Sequence, residues 1–259
     1  INPFKRIYNK LVYRNKIITY SGEFKNWKEA KKKSKGYNSK KILMNVFNAT
    51  LKAKNNLYYF ERDGSLLSRN TISHNQLHLI LELINKKKRG LNIVDYGGSL
   101  GSMYFKFKDI INQKYRNIWN IVEQKSFVNI GSKKLKEKNL NFLETLNSIK
   151  KKIDIVMING TLQYLENPDK VLKKILKLKP EIILIEKLPI LNKQTKSEIY
   201  IQKRGENSYP SWIFTKSFIK LLFKKNNFIL DQILTPEFEH NLHVKSEKIN
   251  FSDFVYKKN

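Results

Sequence analysis

Ten residues, Asn92-Ile93-Val94-Asp95-Tyr96-Gly97-Gly98-Ser99-Leu100-Gly101, constrain this chain more than any others. An apolar run ends in an acid and breaks into a loop of three glycines and a serine. An amphipathic stretch follows, with Tyr104, Phe105, Phe107, Ile110 and Ile111 at helical spacing. That order predicts a buried strand, a tight turn and a helix N-terminus. In a parallel α/β sheet this junction is where a nucleotide-like ligand sits. Glycines let the backbone approach such a ligand, because a larger side chain would occupy the space.

The stretches around it support an alternating fold. Strands are predicted at 91–95, 118–123, 140–142, 153–158, 181–185, 228–234 and 249–256, with helical segments filling the gaps. One helix starts at Asn167-Pro168, a cap followed by proline at the first helical position. Another is capped by Thr215 and carries Phe218, Leu221, Leu222 and Phe223. Five strand–helix units imply a parallel, doubly wound sheet. The last two strands have no helix between them, so they should pair as a hairpin and put one antiparallel strand into the sheet.

Upstream, Phe4, Ile7, Tyr8, Leu11 and Val12 recur at helical spacing among Lys and Arg within residues 1–20, which suits a helix docking on the domain. Trp27 and Ala30 are the inward candidates of the next short segment. Ser39 can cap a helix carrying Ile42, Leu43, Val46, Phe47 and Leu51. Residues 58–64 read as a short extended piece ending in a turn. Ser73 can cap a helix whose Leu77, Leu81 and Ile84 share a face, and Gly90 ends it. The expected division is a mostly helical N-terminal extension or substrate cap, 1–72, and an α/β domain, 73–259.

With 259 residues, 41% of them hydrophobic, and 15 Phe, 13 Tyr and 3 Trp, there is ample material for a packed core. There is no cysteine, which excludes disulfides, thiolate metal sites and cysteine nucleophiles. His74, His78, His240 and His243 are too few and too scattered for a zinc site, so no metal is expected. No apolar run approaches the ~18 residues of a membrane span and no signal-peptide core is visible, so the expected location is cytoplasmic. The net charge of +29 invites a nucleic-acid reading, but 44 of the 51 basic residues are Lys, spread along the whole chain. Specific nucleic-acid sites favour the bidentate Arg. A basic surface with non-specific polyanion binding is the expectation.

The second predicted strand ends in Glu123, 28 residues after Asp95. An acid at that tip can accept two hydrogen bonds from a ribose diol. Two ligands remain open at this point, a dinucleotide and S-adenosylmethionine. The dinucleotide fingerprint needs G-x-G-x-x-G with a pyrophosphate on the helix N-terminus. The spacing here is Asp95-x-Gly97-x-Ser99-x-Gly101, which suits a ligand with no phosphate and a charged amino-acid end. The closing hairpin also favours the methyltransferase arrangement.

On these residues the chain resembles the class I S-adenosylmethionine-dependent methyltransferases. Asp95-Tyr96-Gly97-Gly98-Ser99-Leu100-Gly101 resembles their first motif, Glu123 the second-strand acid, and residues 154–165 the fourth-strand motif. The resemblance covers roughly 73–259 and implies a Rossmann-like fold with a seven-stranded, mostly parallel sheet. More closely, the chain is similar to a methyltransferase family of bacterial surface-polysaccharide gene clusters. That likeness rests on Gly36-Tyr37, Glu61-Arg62-Asp63-Gly64, 95–101, 119–124, 162–165 and 209–214. The resemblance implies a cofactor wall of Asp95, Gly97, Gly98, Ser99 and Gly101, with Glu123 and Gln124 at the ribose. Phe142 would stand near the adenine, where the wider class often has an acid after the third strand. Asn159, Gly160 and Thr161 would line the floor below the methyl group. It further implies O-methylation of a sugar or glycan intermediate, with Arg62, Tyr164, Tyr209 and Trp212 on the acceptor side. No catalytic base stands out; His74, His240, His243 and Glu186 are the reachable groups. RNA or another polyanion as acceptor, and an NAD-dependent enzyme of the same general fold, are the competing readings.

Overall fold

The structure is a computed structural model that describes residues 18–36, 39–56, 58–68, 75–205, 207–234 and 242–259. The expected docking helix within 1–20 falls mostly outside these residues, as do Tyr37, Ser73, His74 and His240. Where the described chain begins, residues 18–20 already belong to a strand.

The central sheet is built from β4 (Asn92–Tyr96), β5 (Ile118–Val122), β6 (Leu140–Leu143), β7 (Ile155–Asn159) and β8 (Ile182–Leu191), followed by β11 (Phe228–Leu234) and β14 (Asn250–Lys258). Its order is β6-β5-β4-β7-β8-β14-β11. The first five strands run parallel. β14 lies antiparallel to both β8 and β11, so the C-terminal hairpin enters as expected. Ile93, Val94, Ile121, Val156 and Ile183 are wholly buried, as befits parallel strands covered on both faces.

Helices α3 (Asn75–Lys87), α4 (Ser102–Ile111), α5 (Lys125–Lys134), α6 (Pro168–Lys177) and α7 (Lys216–Lys224) cover the sheet. α4 buries Tyr104, Phe105, Phe107 and Ile111. α6 begins with Pro168 and buries Leu172, Ile175 and Leu176. The Thr215 side chain accepts from the Phe218 amide and caps α7.

Three strands extend the sheet where the sequence pattern predicted helix or loop. β1 (Ile18–Phe24), β9 (Glu198–Arg204) and β10 (Asn207–Thr215) form an antiparallel unit in the order β1-β9-β10. It joins the main sheet through β8, where Ile190 pairs with Asn250 on one side and Phe214 on the other. β8 makes this change of partner past a kink: Lys187 has φ of 54°, and its amide donates to Asp253 Oδ1 at 2.7 Å. The β14 register slips beside it, between Ser252 and Phe254.

On the outer face of this unit, α1 (Trp27–Lys33) packs Ala30 on Ile199 and Ile201, and Trp27 stacks on Trp212. α2 (Ser39–Ala53) sends Leu43 and Val46 into the main core. Leu51, expected on its inner face, is exposed; Ala49, Thr50 and Ala53 are buried there instead. The extended piece at 58–64 is the hairpin of β2 (Tyr59–Arg62) and β3 (Ser65–Ser68). Among the described residues no helix is long and apolar enough to cross a membrane.

Candidate functional site

The site forms where β4, β5 and β7 end side by side. β4 runs into Gly97, whose amide donates to Val122 O at 2.9 Å and ties the loop to the tip of β5. Gly97 has φ of 74° and Gly101 of 90°, and Ser99 turns at 55°. The glycines are sterically required. A Cβ on Gly97 would meet Thr161 Oγ1 at 2.3 Å, and one on Gly98 would meet Asp95 Cγ at 2.5 Å. The Gly-rich loop and the turn after β7 are therefore in contact, which joins residues 97 and 161 into one wall.

Two carboxylates stand under this wall. Asp95 is 1% exposed and accepts from Trp119 Nε1 at 3.3 Å. Burial, with Glu123 nearby, pushes its carboxyl up to about 7, against the single opposing hydrogen bond from Trp119. Glu123, just past β5, accepts from the Gln124 amide at 2.8 Å and from the Ser99 amide at 3.3 Å. Burial raises its carboxyl as well, and these two amides oppose the shift. Each Glu123 oxygen uses one lone pair on a backbone amide and keeps another for a hydroxyl. Gln124 is exposed at the N-terminus of α5.

The floor comes from the end of β7. Asn159 Nδ2 donates to Glu186 Oε2 at 3.0 Å, Gly160 turns at φ of 59°, and the Thr161 hydroxyl donates to Asn159 O at 3.1 Å. Glu186 also accepts from Gln76 Nε2, which α3 brings in. Burial and the neighbouring Asp253 raise the Glu186 carboxyl to about 7, although Lys187, Gln76 and Lys106 pull the other way.

Other expected residues sit differently. Phe142 lies inside β6, paired with Ile121, and the strand continues to Leu143. Its ring is 8% exposed and packs on α5, so close that a Cβ on Gly131 would be 2.4 Å from it. The positions after the third strand are thus Glu144 and Thr145, both exposed. Asp154, at the head of the fourth-strand motif, lies at the amino end of β7, away from the loop. There it accepts from both terminal nitrogens of Arg89, at 2.7 and 3.0 Å, and from the Asn92 amide at 2.9 Å.

On the acceptor side, Tyr164 and Tyr209 meet edge to face, with centroids 5.2 Å apart. Trp212 points to the opposite face of β10, between Trp27 and Phe214, and its Nε1 donates to Leu165 O at 3.0 Å. Arg62 ends β2, next to Asp63, which pairs with Arg204. His243 is exposed in the small hairpin of β12 (His243–Val244) and β13 (Glu247–Lys248). Among the described residues no three His, Asp or Glu side chains gather as a metal-binding group.

Sequence reading missed Gln76, Tyr20, Gln202 and Arg204. The β-formers Ile199, Tyr200 and Ile201 and those of Asn207–Thr215 around the Gly205 turn were the available signal for the strands. Nothing local marks Gln202 as the partner of Tyr20, 182 residues away.

No family model and no curated protein matches the chain. Solved structures do. The amino pentose methyltransferase CalS10 of Micromonospora echinaspora, with bound S-adenosylmethionine, is similar with TM-score 0.50 at 9% identity, over 83% of this chain and 97% of that one. The 1,6-didemethyltoxoflavin-N1-methyltransferase of Burkholderia thailandensis is similar with TM-score 0.47 at 12% identity, over 94% and 96%. An S-adenosylmethionine-dependent methyltransferase of Clostridium acetobutylicum gives 0.45 at 11% identity, over 100% and 98%. The fold is the Rossmann-like one of S-adenosylmethionine-dependent methyltransferases, a mostly parallel sheet closed by an antiparallel pair.

Proposed function

We propose that this chain is an S-adenosylmethionine-dependent methyltransferase that acts in the cytoplasm on a hydroxyl of a sugar or glycan intermediate of surface-polysaccharide assembly. One observation carries the cofactor reading: two partly or wholly buried carboxylates, Asp95 and Glu123, stand at adjacent strand tips beneath a loop with no room for a Cβ at Gly97 or Gly98. A buried carboxyl raised to about 7 is a place for a cationic group, which would stabilise its charged form. An amino-acid end of the ligand fits at Asp95 and a ribose diol at Glu123. A dinucleotide would instead need the G-x-G-x-x-G spacing that sets its pyrophosphate on the helix N-terminus, and this loop lacks it.

Bound S-adenosylmethionine would supply an electrophilic methyl group on a sulfonium. The chain's own residues bind and orient. The missing Cβ atoms of Gly97 and Gly98 let Thr161 and Asp95 close against the loop, and Ser99 and Gly101 shape the loop around the ligand. Glu123 holds the ribose beside Gln124. Asn159, fixed by Glu186, and Thr161, fixed against Gly97, form the floor that sets the acceptor's approach. Orienting two reactants in this way is worth up to about 7–11 kcal/mol in favourable cases. Residues 73–259 are the cofactor domain, and residues 1–72 form the acceptor-side cap together with β9 and β10. The +29 charge supports a second, weaker association with polyanions that salt should dissolve.

Calorimetry with S-adenosylhomocysteine tests the reading. Binding that falls at least about tenfold in Glu123→Ala is expected, a loss of about 1.4 kcal/mol. No binding by the wild-type chain, or binding indifferent to Glu123, would overturn it.

A further inference from the structure

The added strands carry a polar row on the face opposite α1. Register puts Tyr20 and Tyr209 on either side of Gln202. Arg204, two residues along β9, shares that face. Tyr164 reaches the row from the turn after Thr161. Its hydroxyl donates to Gln202 Oε1 at 2.9 Å, and the Tyr20 hydroxyl donates to the same oxygen at 3.2 Å. From a third direction the β2–β3 turn brings Asp63, which accepts from Arg204 Nη2 at 3.1 Å. Four segments far apart in sequence, around residues 20, 63, 164 and 202–209, therefore meet a few residues from the Gly97–Thr161 contact.

Hydrogen-bond satisfaction is uneven here. Arg204, Lys187 and Arg62 all act on Asp63, and together they hold its carboxyl below the usual range against the effect of burial. Lys187 also acts on Glu186, and Arg204 is the cation that pairs with Asp63 directly. Arg204 Nε is buried and has no acceptor among the described residues. A buried donor left unmet is costly, so an acceptor arriving there recovers that cost. Beside it Tyr164 as a whole residue stays 37% exposed although its hydroxyl is bonded to Gln202, which is 3% exposed. The hydroxyl end is fixed while the residue keeps part of its surface open to solvent. Such a ring packs on the C–H face of a sugar, and a guanidinium fork takes a planar or tetrahedral oxyanion.

We propose that Tyr20, Tyr164, Gln202, Arg204 and Tyr209 form the acceptor subsite, and that it takes a sugar carrying an anionic oxygen group, a carboxylate or a phosphate, with the oxyanion on Arg204 and the ring on Tyr164. This rests on the methyltransferase reading of the adjoining loop, which places a methyl donor beside it. Asp63 is then the internal anion that occupies Arg204 until the acceptor competes for it.

The test uses the full chain saturated with S-adenosylhomocysteine, in about 150 mM salt so that the diffuse surface charge is screened. Calorimetry compares glucose, glucose 1-phosphate and glucuronate. At least one anionic sugar is expected to bind at least tenfold more tightly than glucose, and the tighter of the two identifies phosphate or carboxylate. Arg204→Lys keeps the charge but loses Nε and the fork, so it should remove that preference. Asp63→Asn releases Arg204 and should strengthen the anionic sugar at least threefold, whereas a purely structural ion pair would give weaker binding. Both variants should bind S-adenosylhomocysteine within twofold of wild type. The inference is overturned if no probe binds, if glucose binds as well as the anions, if Arg204→Lys keeps the preference, or if Asp63→Asn weakens it. Failure of the wild-type chain to bind S-adenosylhomocysteine would instead refute the cofactor reading, and the sugar series then reports on the subsite in the unloaded protein.

Discussion

Gly97 shows how much one residue can decide. Its left-handed φ of 74° disfavours any side chain, and the Thr161 side chain fills the place of the missing Cβ. Gly97→Ala should therefore separate the loop from the β7 turn and weaken S-adenosylhomocysteine at least about tenfold by calorimetry, with Thr161→Ala alone much milder. Asp95 carries a pH dependence of definite sign. Its carboxyl in the free protein titrates at about 7, and a cation bound beside it would favour the charged form and lower that value. Binding then releases a proton below pH 7, so affinity should rise from pH 5.5 to 7.5 and level off above. Calorimetry in two buffers of different ionisation heat measures the released proton, and Asp95→Asn should abolish it. Both residues were legible from type and spacing. Phe142 was not placed correctly within its element, because sequence spacing does not show that β6 runs one residue further and turns that ring onto Gly131.

At the scale of elements, β7 joins two different tasks. Its carboxyl end supplies Asn159 and Thr161 to the site. At its amino end Asp154 is held by Arg89, Lys87 and the Asn92 amide. Burial would raise the Asp154 carboxyl, and Arg89 with these partners holds it low instead. The five residue steps from 154 to 159 span about 16 Å of strand, so the two ends act independently. Asp154→Ala should destabilise the fold by about 1–3 kcal/mol in urea unfolding, since it leaves the buried Asn92 amide without its acceptor while the half-exposed Arg89 stays hydrated, and leave S-adenosylhomocysteine affinity unchanged in the folded fraction. The fourth-strand motif was recognisable, but its leading acid is a structural anchor. β1, β9 and β10 were not legible as elements. Glu198–Arg204 buries Ile199 and Ile201 on one face and Tyr200 and Gln202 on the other, so the polar-out alternation that marks a half-exposed strand is missing.

Across the whole molecule, buried acids set the stability profile. Asp95 and Glu186 have ordinary values of 3.8 and 4.5 and titrate at about 7 when folded. Between these values the folded protein holds protons that the unfolded chain has lost, so stability falls as pH rises from about 5 to 7. Asp63, Glu137, Asp154 and Glu181 are shifted down, so their contribution is present above their ordinary values and is lost only in acid. The unliganded protein should melt at least about 3 °C higher at pH 5.5 than at 7.5. Combining Asp95→Asn with Glu186→Gln should remove most of that difference in a thermal scan. An unchanged difference would mean that these carboxyls do not titrate as the fold implies.

The sequence by itself determined the βα order, the Gly-rich turn, the two acids at the strand tips and the closing hairpin. Each of these depends on chemistry within about ten residues: left-handed φ, capping, and the period of apolar residues. Only the tertiary structure decided that β8 kinks at Lys187 and changes partners, that an N-terminal strand joins β9, and that Tyr20, Tyr164, Gln202 and Arg204 meet beside the floor of the site. Those outcomes follow from pairing and burial between segments as far as 186 residues apart, where local preference carries no information about the partner.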